Sequence, residues 1–374
     1  MIARPGHTMN KKFCCIFAVL TGIFVAVNES CPAQPVIAGV SGGVFPDGNS
    51  LTISGSGFGH KLPAAPYFYD NFEGGTDGES IIGKVGCVGS KEWTAYTTTV
   101  PIVYTSSESY GAGSRSASKV SDGNDFTTAG IDGLNAEEVF LSYKYKWKMT
   151  TNLPHAPSTV LKASRITAPG GWYNENPRFQ LQTNLYADAN WTYFSQNNCD
   201  YFNVETVPFN NPDKWHSIEM YMRLSSPAGS QNGALVDSSD FVYGHKSETI
   251  VTRTSICAQT TSDSFILPFE IANDDLNNYE FYADNVYFDK TRARVEIGNA
   301  AAFEGCSLRE IQIPSAWEES AVTFMLNQGA FQPGDAAYIF VIDSDGNASD
   351  GFPVVIGENS GIPAPAAPKN LRIE

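Results

Sequence analysis

The sequence is poor in positive charge, in histidine and, past its first segment, in long apolar runs. Lys and Arg number 24 against 40 Asp and Glu in 374 residues, a formal net charge of -16. That balance removes the basic footprint that nucleic acid or anionic lipid requires and disfavours polyanionic partners except at a local basic groove. The 5 histidines leave few proton carriers. His216 follows a tryptophan inside a strand pattern and reads as structural, while His155 and His245 fall in loop-like contexts. No Gly-x-Ser-x-Gly, phosphate-binding loop or His-Glu-x-x-His occurs, so the usual signatures of serine hydrolases, nucleotide hydrolases and zinc proteases are missing. No run beyond the first segment is apolar enough to span a bilayer.

That first segment has its own character. Met9-Asn10-Lys11-Lys12 followed by FCCIFAVLTGIFVAV reads as the basic and apolar regions of an export signal over residues 1–33, with cleavage after Ala33. Asn28, Glu29 and Ser30 make a poor context for lipidation at Cys31. The protein is therefore expected to be secreted or held at the cell surface. Setting aside Cys14, Cys15 and Cys31 leaves Cys87, Cys199, Cys257 and Cys306, enough for two disulfides with three connectivities in an oxidising compartment.

Abundant features are turns and aromatics: 33 Gly, 21 Pro and 12% aromatic residues point to β-sandwiches, and the length to two of them. Between residues 67 and 291 alternating segments recur at 139–149, 158–166, 177–186, 214–224, 247–255, 265–272 and 279–289. Period-two alternation of this length marks antiparallel strands with one buried face, and the set suits a jelly roll. The expected fold class is all-β.

The N-terminal QPVIAGVSGGVFPDGNSLTISGSGFG is similar to the opening of an IPT/TIG immunoglobulin-like domain. The strands after Thr291, RVEIG, REIQIPSAW, SAVTFMLN and AAYIFVIDSDGNASDGFPVVIG, resemble the later strands of the same family. The resemblance implies one Ig-like domain in two parts, residues 34–66 and 292–357, split by an inserted jelly roll over 67–291, with a Pro/Ala-rich tail at 358–374. A loop tolerates such an insertion when the insert's ends lie together.

Within the insert, DKWHSIEMYMRLSSPAGSQNGAL, IVTRTS and YADNVYFD resemble concanavalin A-like jelly rolls, including polysaccharide lyases of the alginate-lyase type. The departures matter: LVDSSDFVYG stands where the family has a Trp-Val-Asp-Gly strand. The late Tyr-x-Lys-x-Gly-x-Tyr of alginate lyases and the Glu-x-Asp-x-Glu of laminarinases are absent. On the strand near 177–186, Arg178, Gln180, Gln182 and Asn184 alternate with apolar positions and form a candidate polar row on one face. Tyr143, Tyr145 and Trp147, or alternatively Lys144, Lys146 and Lys148, would flank it as a glycan groove; the competing reading is an ordinary solvated face. The resemblance also implies a structural Ca²⁺ between the first and last strands of the jelly roll. Asp70 and Glu73 in YDNFEG and Asp284 in YADN are its candidate ligands, hard oxygens suited to that ion.

Together these readings describe a secreted or cell-surface glycan-binding or adhesive protein without catalytic machinery, whose partner is a polysaccharide or surface glycan. One alternative is a lyase acting on a uronate polymer, which needs a group to neutralise the carboxylate and a Tyr or His to move the C5 proton. The other is a self-associating subunit of a surface layer or fibre.

Overall fold

The computed structural model describes residues 34–357 except 42–44, 96–99, 122–127, 150–159, 168–177, 185–189, 198–199, 209–212, 254–260, 262–263, 267–269 and 273–278. The expected export signal, the tail at 358–374, His155, Cys199 and Cys257 lie outside the described residues. Among those described the chain is all-β and antiparallel, as the alternation requires, with a single 3-10 turn at Phe303–Gly305.

The described residues form three sheets. The first joins distant parts of the chain: Val36–Ser41 and Ser50–Ser56 pair in one seven-stranded sheet with strands drawn from Arg294–Val355. Ser50–Ser56 runs beside Ala321–Met325, with Ile53 opposite Val322. Their apolar faces close a core of Leu51, Ile53, Val295, Ile297, Trp317, Phe324 and Ile339. A hairpin of two strands has too little apolar face to stand alone, so residues 36–56 gain their stability from strands some 270 residues later.

The other two sheets form the jelly-roll sandwich. One is centred on Tyr279–Asp289, between Glu138–Met149 and Ser116–Ser121, with Phe68–Asp70 pairing to its far end. The other contains Val160–Thr167, Arg178–Asn184, Asn190–Asn197 and Asp200–Pro208 in consecutive order. The core between them includes Leu141, Tyr143, Tyr145, Trp147, Ile166, Met220 and Phe281.

Alternation along Glu138–Met149 decides two layers at once. Odd positions Leu141 to Trp147 point into the sandwich, so Lys144, Lys146 and Lys148 stand on the opposite face. Part of that face is covered: Phe140, Tyr221, Val236 and Tyr287 pack with Ile311 and Ile313 of the seven-stranded sheet. Arg309–Glu318, the strand bearing those isoleucines, thus belongs to one sheet and roofs another.

Buried ion pairs rivet this contact. Arg309 donates to Glu219 Oε2 at 2.9 Å and to Glu296 Oε2 at 2.8 Å. Lys144 Nζ lies 3.1 Å from Glu310 Oε2 and donates to Ser217 Oγ at 2.9 Å and to the Arg309 carbonyl at 3.0 Å. Where the chain enters and leaves the sandwich, Lys61 Nζ meets Asp289 Oδ2 at 2.6 Å and donates to Tyr287 Oη at 3.0 Å.

One expectation about a strand and one about cysteine need correcting. The strand placed at 247–255 is Val242–Ile250. A two-residue turn at Asp240 and Phe241, both with positive φ, brings it back from Gly233–Ser239. No glycine marks this turn; instead the Asp240 carboxylate accepts from the Ser217 amide at 3.0 Å and lies 2.8 Å from His216 Nδ1. His216 is buried at that contact. The second correction concerns cysteine: Cys87 and Cys306 are both free thiols, which removes the two-disulfide arrangement.

Candidate functional site

Tyr143 and Tyr145 are fully buried and Trp147 is 4% exposed, all in the sandwich core. They are withdrawn from the glycan groove because no ring face reaches the surface. The lysine alternative is also committed elsewhere. Lys144 serves the contact with Glu310, and Glu108 takes both Lys146, at 2.8 Å, and Lys148.

The strand Arg178–Asn184 is present and central, paired on both sides. The side chains of Arg178, Gln180, Gln182 and Asn184 lie outside the described residues, as does that of His245. Register still places their positions: Arg178 opposite Thr167, Gln180 opposite Arg165, and Gln182 opposite Lys162 after a bulge. On Val160–Thr167, Ser164 donates to Met220 Sδ at 2.9 Å and Ile166 joins the core, so both face inward. Arg165 and Thr167 therefore face the outside of the sandwich, yet they are 3% and 0% exposed. The outer face of this sheet is thus covered at Arg165, at the position opposite Gln180. The alternation of KASRIT places Arg165 away from the core, but nothing local ties that strand to the Arg178 row or shows that the arginine is covered.

The three proposed calcium ligands separate into two groups. Asp70 serves the scaffold: Trp93 Nε1 donates to its Oδ2 at 2.7 Å, and the Phe72 amide donates to Oδ1 at 2.9 Å. Glu73 and Asp284 converge on the loop at residues 110–115. Glu73 Oε1 accepts from the amides of Ser114 at 2.7 Å and Arg115 at 3.0 Å. Asp284 Oδ2 accepts from the Tyr110 amide at 3.0 Å, and Oδ1 from the Asn285 amide at 2.7 Å. A Cβ placed on Gly113 would lie 2.9 Å from Glu73 Oε1, 3.1 Å from the Tyr110 carbonyl and 3.9 Å from Asp284 Oδ2. Any side chain at position 113 would thus crowd these oxygens, so the loop needs glycine there.

Burial drives the Asp284 carboxyl well above its ordinary range against the pull of its two amide donors, and the charges of Glu73 and Asp70 push the same way. A buried carboxylate crowded by like charges takes up either a proton or a cation. The adjoining cavity of about 260 Å³ is lined by Asn71, Glu73, Ser114, Asp284 and Asn285, with Asp47 and Asn327 from the seven-stranded sheet. No group of three or more Asp, Glu, His or Cys side chains gathers at metal-binding distance among the described residues. A cation here would depend on Glu73, Asp284 and carbonyl or amide oxygens, a donor set that fits Ca²⁺ and not a softer metal.

No family model matches the chain. No curated protein matches it either. Solved structures similar to it include alginate lyase Aly36B, at 11% identity over 60% of this chain and 98% of that one, with a TM-score of 0.42. Alginate lyase vAL-1 from Chlorella virus is 10% identical over 54% and 93%, with a TM-score of 0.38. The CBM22-1 xylan-binding domain of Xyn10C from Paenibacillus barcinonensis is 12% identical over 60% and 93%, with a TM-score of 0.27. Likeness at this level carries no inference about the site.

Proposed function

We propose that the protein is a secreted or cell-surface glycan-binding protein without catalytic activity. The observation behind this reading is the strand Arg178–Asn184, paired on both sides within its sheet, on which Arg178, Gln180, Gln182 and Asn184 hold alternate positions. The seven-stranded sheet covers part of the other outer face of the sandwich, which directs a long ligand to the sheet that contains Arg178–Asn184. The Arg178 guanidinium with amide neighbours suits the hydroxyls and carboxylates of a polysaccharide. Residues 34–66 and 292–357 act in this reading as one TIG-like platform carrying the 67–291 jelly roll, support coming from the sheet they share. Glu73 and Asp284 hold a structural Ca²⁺ in this reading, with the Asn and carbonyl oxygens that line the cavity beside them.

The test is retention of the mature protein on a panel of neutral and uronate polysaccharides. Arg178→Ala combined with Gln182→Ala should abolish retention with folding intact, and unchanged retention rejects this groove. A second reading is favoured by the same guanidinium, which would neutralise a uronate carboxylate in a lyase. Polymer shortening with release of unsaturated uronate would establish that reading.

A further inference from the structure

The two crossings of the chain between sheet and jelly roll meet in one buried pair. Lys61 is 5% exposed and Asp289 4%, and Lys61 Nζ lies 2.6 Å from Asp289 Oδ2. A third group touches both: Lys61 Nζ donates to Tyr287 Oη at 3.0 Å, and Tyr287 Oη donates to the same Asp289 Oδ2 at 3.1 Å. The other carboxylate oxygen, Oδ1, accepts from the Lys290 amide at 2.8 Å. Aromatic rings wall the amine in, with Nζ 5.7 Å from the centroid of the Tyr287 ring and 5.6 Å from that of Trp317. The indole is itself fixed, its Nε1 donating to the carbonyls of Phe58 and Gly59 just ahead of Lys61. Burial lowers the Lys61 ammonium from its ordinary value against the pull of Asp289, and the charge of Arg294 works with burial. Burial and the Asp289 charge hold the Tyr287 phenol well above its own range, so it stays a hydroxyl.

Desolvation works against both charges and brings the neutral pair, amine and carboxylic acid, within reach. Tyr287 is the path between the two forms: its hydroxyl accepts a proton from Nζ and passes its own to Oδ2. We propose that Lys61 and Asp289 condense into an amide, an isopeptide bond between Nζ and the Asp289 carboxyl carbon. The neutral Nζ attacks that carbon, the Lys290 amide stabilises the negative charge that develops on Oδ1, and the bond from the carbon to Oδ2 breaks. Oδ2 leaves as water, carrying the proton that Tyr287 delivered and one from Nζ. No oxidant, reductant or cofactor takes part. The fold holds amine and carboxyl in contact, which replaces the chance encounter of two free groups. In the chain as it folds, before condensation, the two groups stand as the ion pair. Once formed, the amide ties the end of Tyr279–Asp289 covalently to the segment that leaves the seven-stranded sheet after Ser56.

The test is mass spectrometry of the wild-type protein incubated in its folded state. It should come to weigh one water less than its sequence, and protease digestion should yield a branched peptide that joins Lys61 to Asp289. Lys61→Arg keeps a positive charge beside Asp289 but carries no nucleophilic amine, so it should hold its full mass and give no branched peptide. Tyr287→Phe keeps the ring beside the pair and removes the relay. Its loss of water should be slower by about a hundredfold, the scale of a positioned proton carrier, with an unchanged circular dichroism spectrum. A wild-type protein that keeps its full mass, with Lys61 and Asp289 in separate peptides, would overturn the bond, and so would a water lost equally from Lys61→Arg. Condensation of Tyr287→Phe at the wild-type rate would overturn the relay.

Discussion

Arg309→Met tests whether the contact between sheet and sandwich is held by charge. Arg309 is 4% exposed, and its guanidinium donates to Glu219 and Glu296 while lying over the rings of Phe241 and Phe303 at 4.3 and 4.1 Å. Methionine retains most of the stem packing and removes both charge-assisted hydrogen bonds, each worth about 1.5–3 kcal/mol. Glu296 keeps Arg294 at 2.6 Å and Glu219 keeps the Ser238 hydroxyl at 3.1 Å, which limits the damage. Removing one partner of a buried pair costs about 3–5 kcal/mol, so we expect ~4 kcal/mol.

The assay is urea unfolding, read as a lower midpoint at an unchanged slope. A second readout comes from pH. Burial works to raise the Glu219 carboxyl, but the charges of Arg309 and Arg294 outweigh it and hold the group below its ordinary value. Its contribution is therefore present above the ordinary glutamate range and lost as pH falls through the lowered folded value. In Arg309→Met burial prevails, and Glu219 should favour the folded state more on the acid side. Arg309→Met with Glu219→Gln should recover part of the loss. A cost below ~1 kcal/mol together with an unchanged acid limb would refute the view that these charges hold the joint.

Two further outcomes follow from buried charges. Lys61→Met should cost about 3–5 kcal/mol in urea unfolding, because Asp289 then stays buried with only the Tyr287 hydroxyl and the Lys290 amide; adding Asp289→Leu should return much of it. For Asp284, the folded value is raised, so its contribution in calcium-free protein is complete below the ordinary aspartate range and lost as pH rises toward the folded value. Melting curves with calcium and with chelator should accordingly converge at acid pH and separate toward neutral, and parallel curves at every pH would count against Asp284 as a ligand.

The sequence shows YEFYADNVYFD as a strand because its aromatic and β-branched residues alternate without a breaker, and the structure forms it over Tyr279–Asp289. It does not show the adjacent pair Asn190–Asn197 and Asp200–Pro208, whose mixed polar composition has no clean period. In Glu138–Met149 the alternation defines two faces, aromatic and lysine, but not which one lies inside. The lysines look like a solvent or ligand face only until Glu108 and Glu310 are placed beside them, and Glu310 lies 166 residues beyond Lys144 in the chain. Asp70 reads as a ligand because its residue type is right, whereas its indole donor, Trp93, is tied to it only by the fold.

The crossing at Lys61 and Asp289 has a mechanical consequence. The chain leaves the seven-stranded sheet after Ser56 and returns to it at Arg294, and the two crossings are clipped together by an ion pair of 2.6 Å. Tension entering at Val36–Ser41 and leaving at Phe352–Val355 is carried by the lateral bonds of one sheet, with the sandwich lying off the line of pull. Under such a pull the platform would open first, and the sandwich would keep its shape until the clip opened.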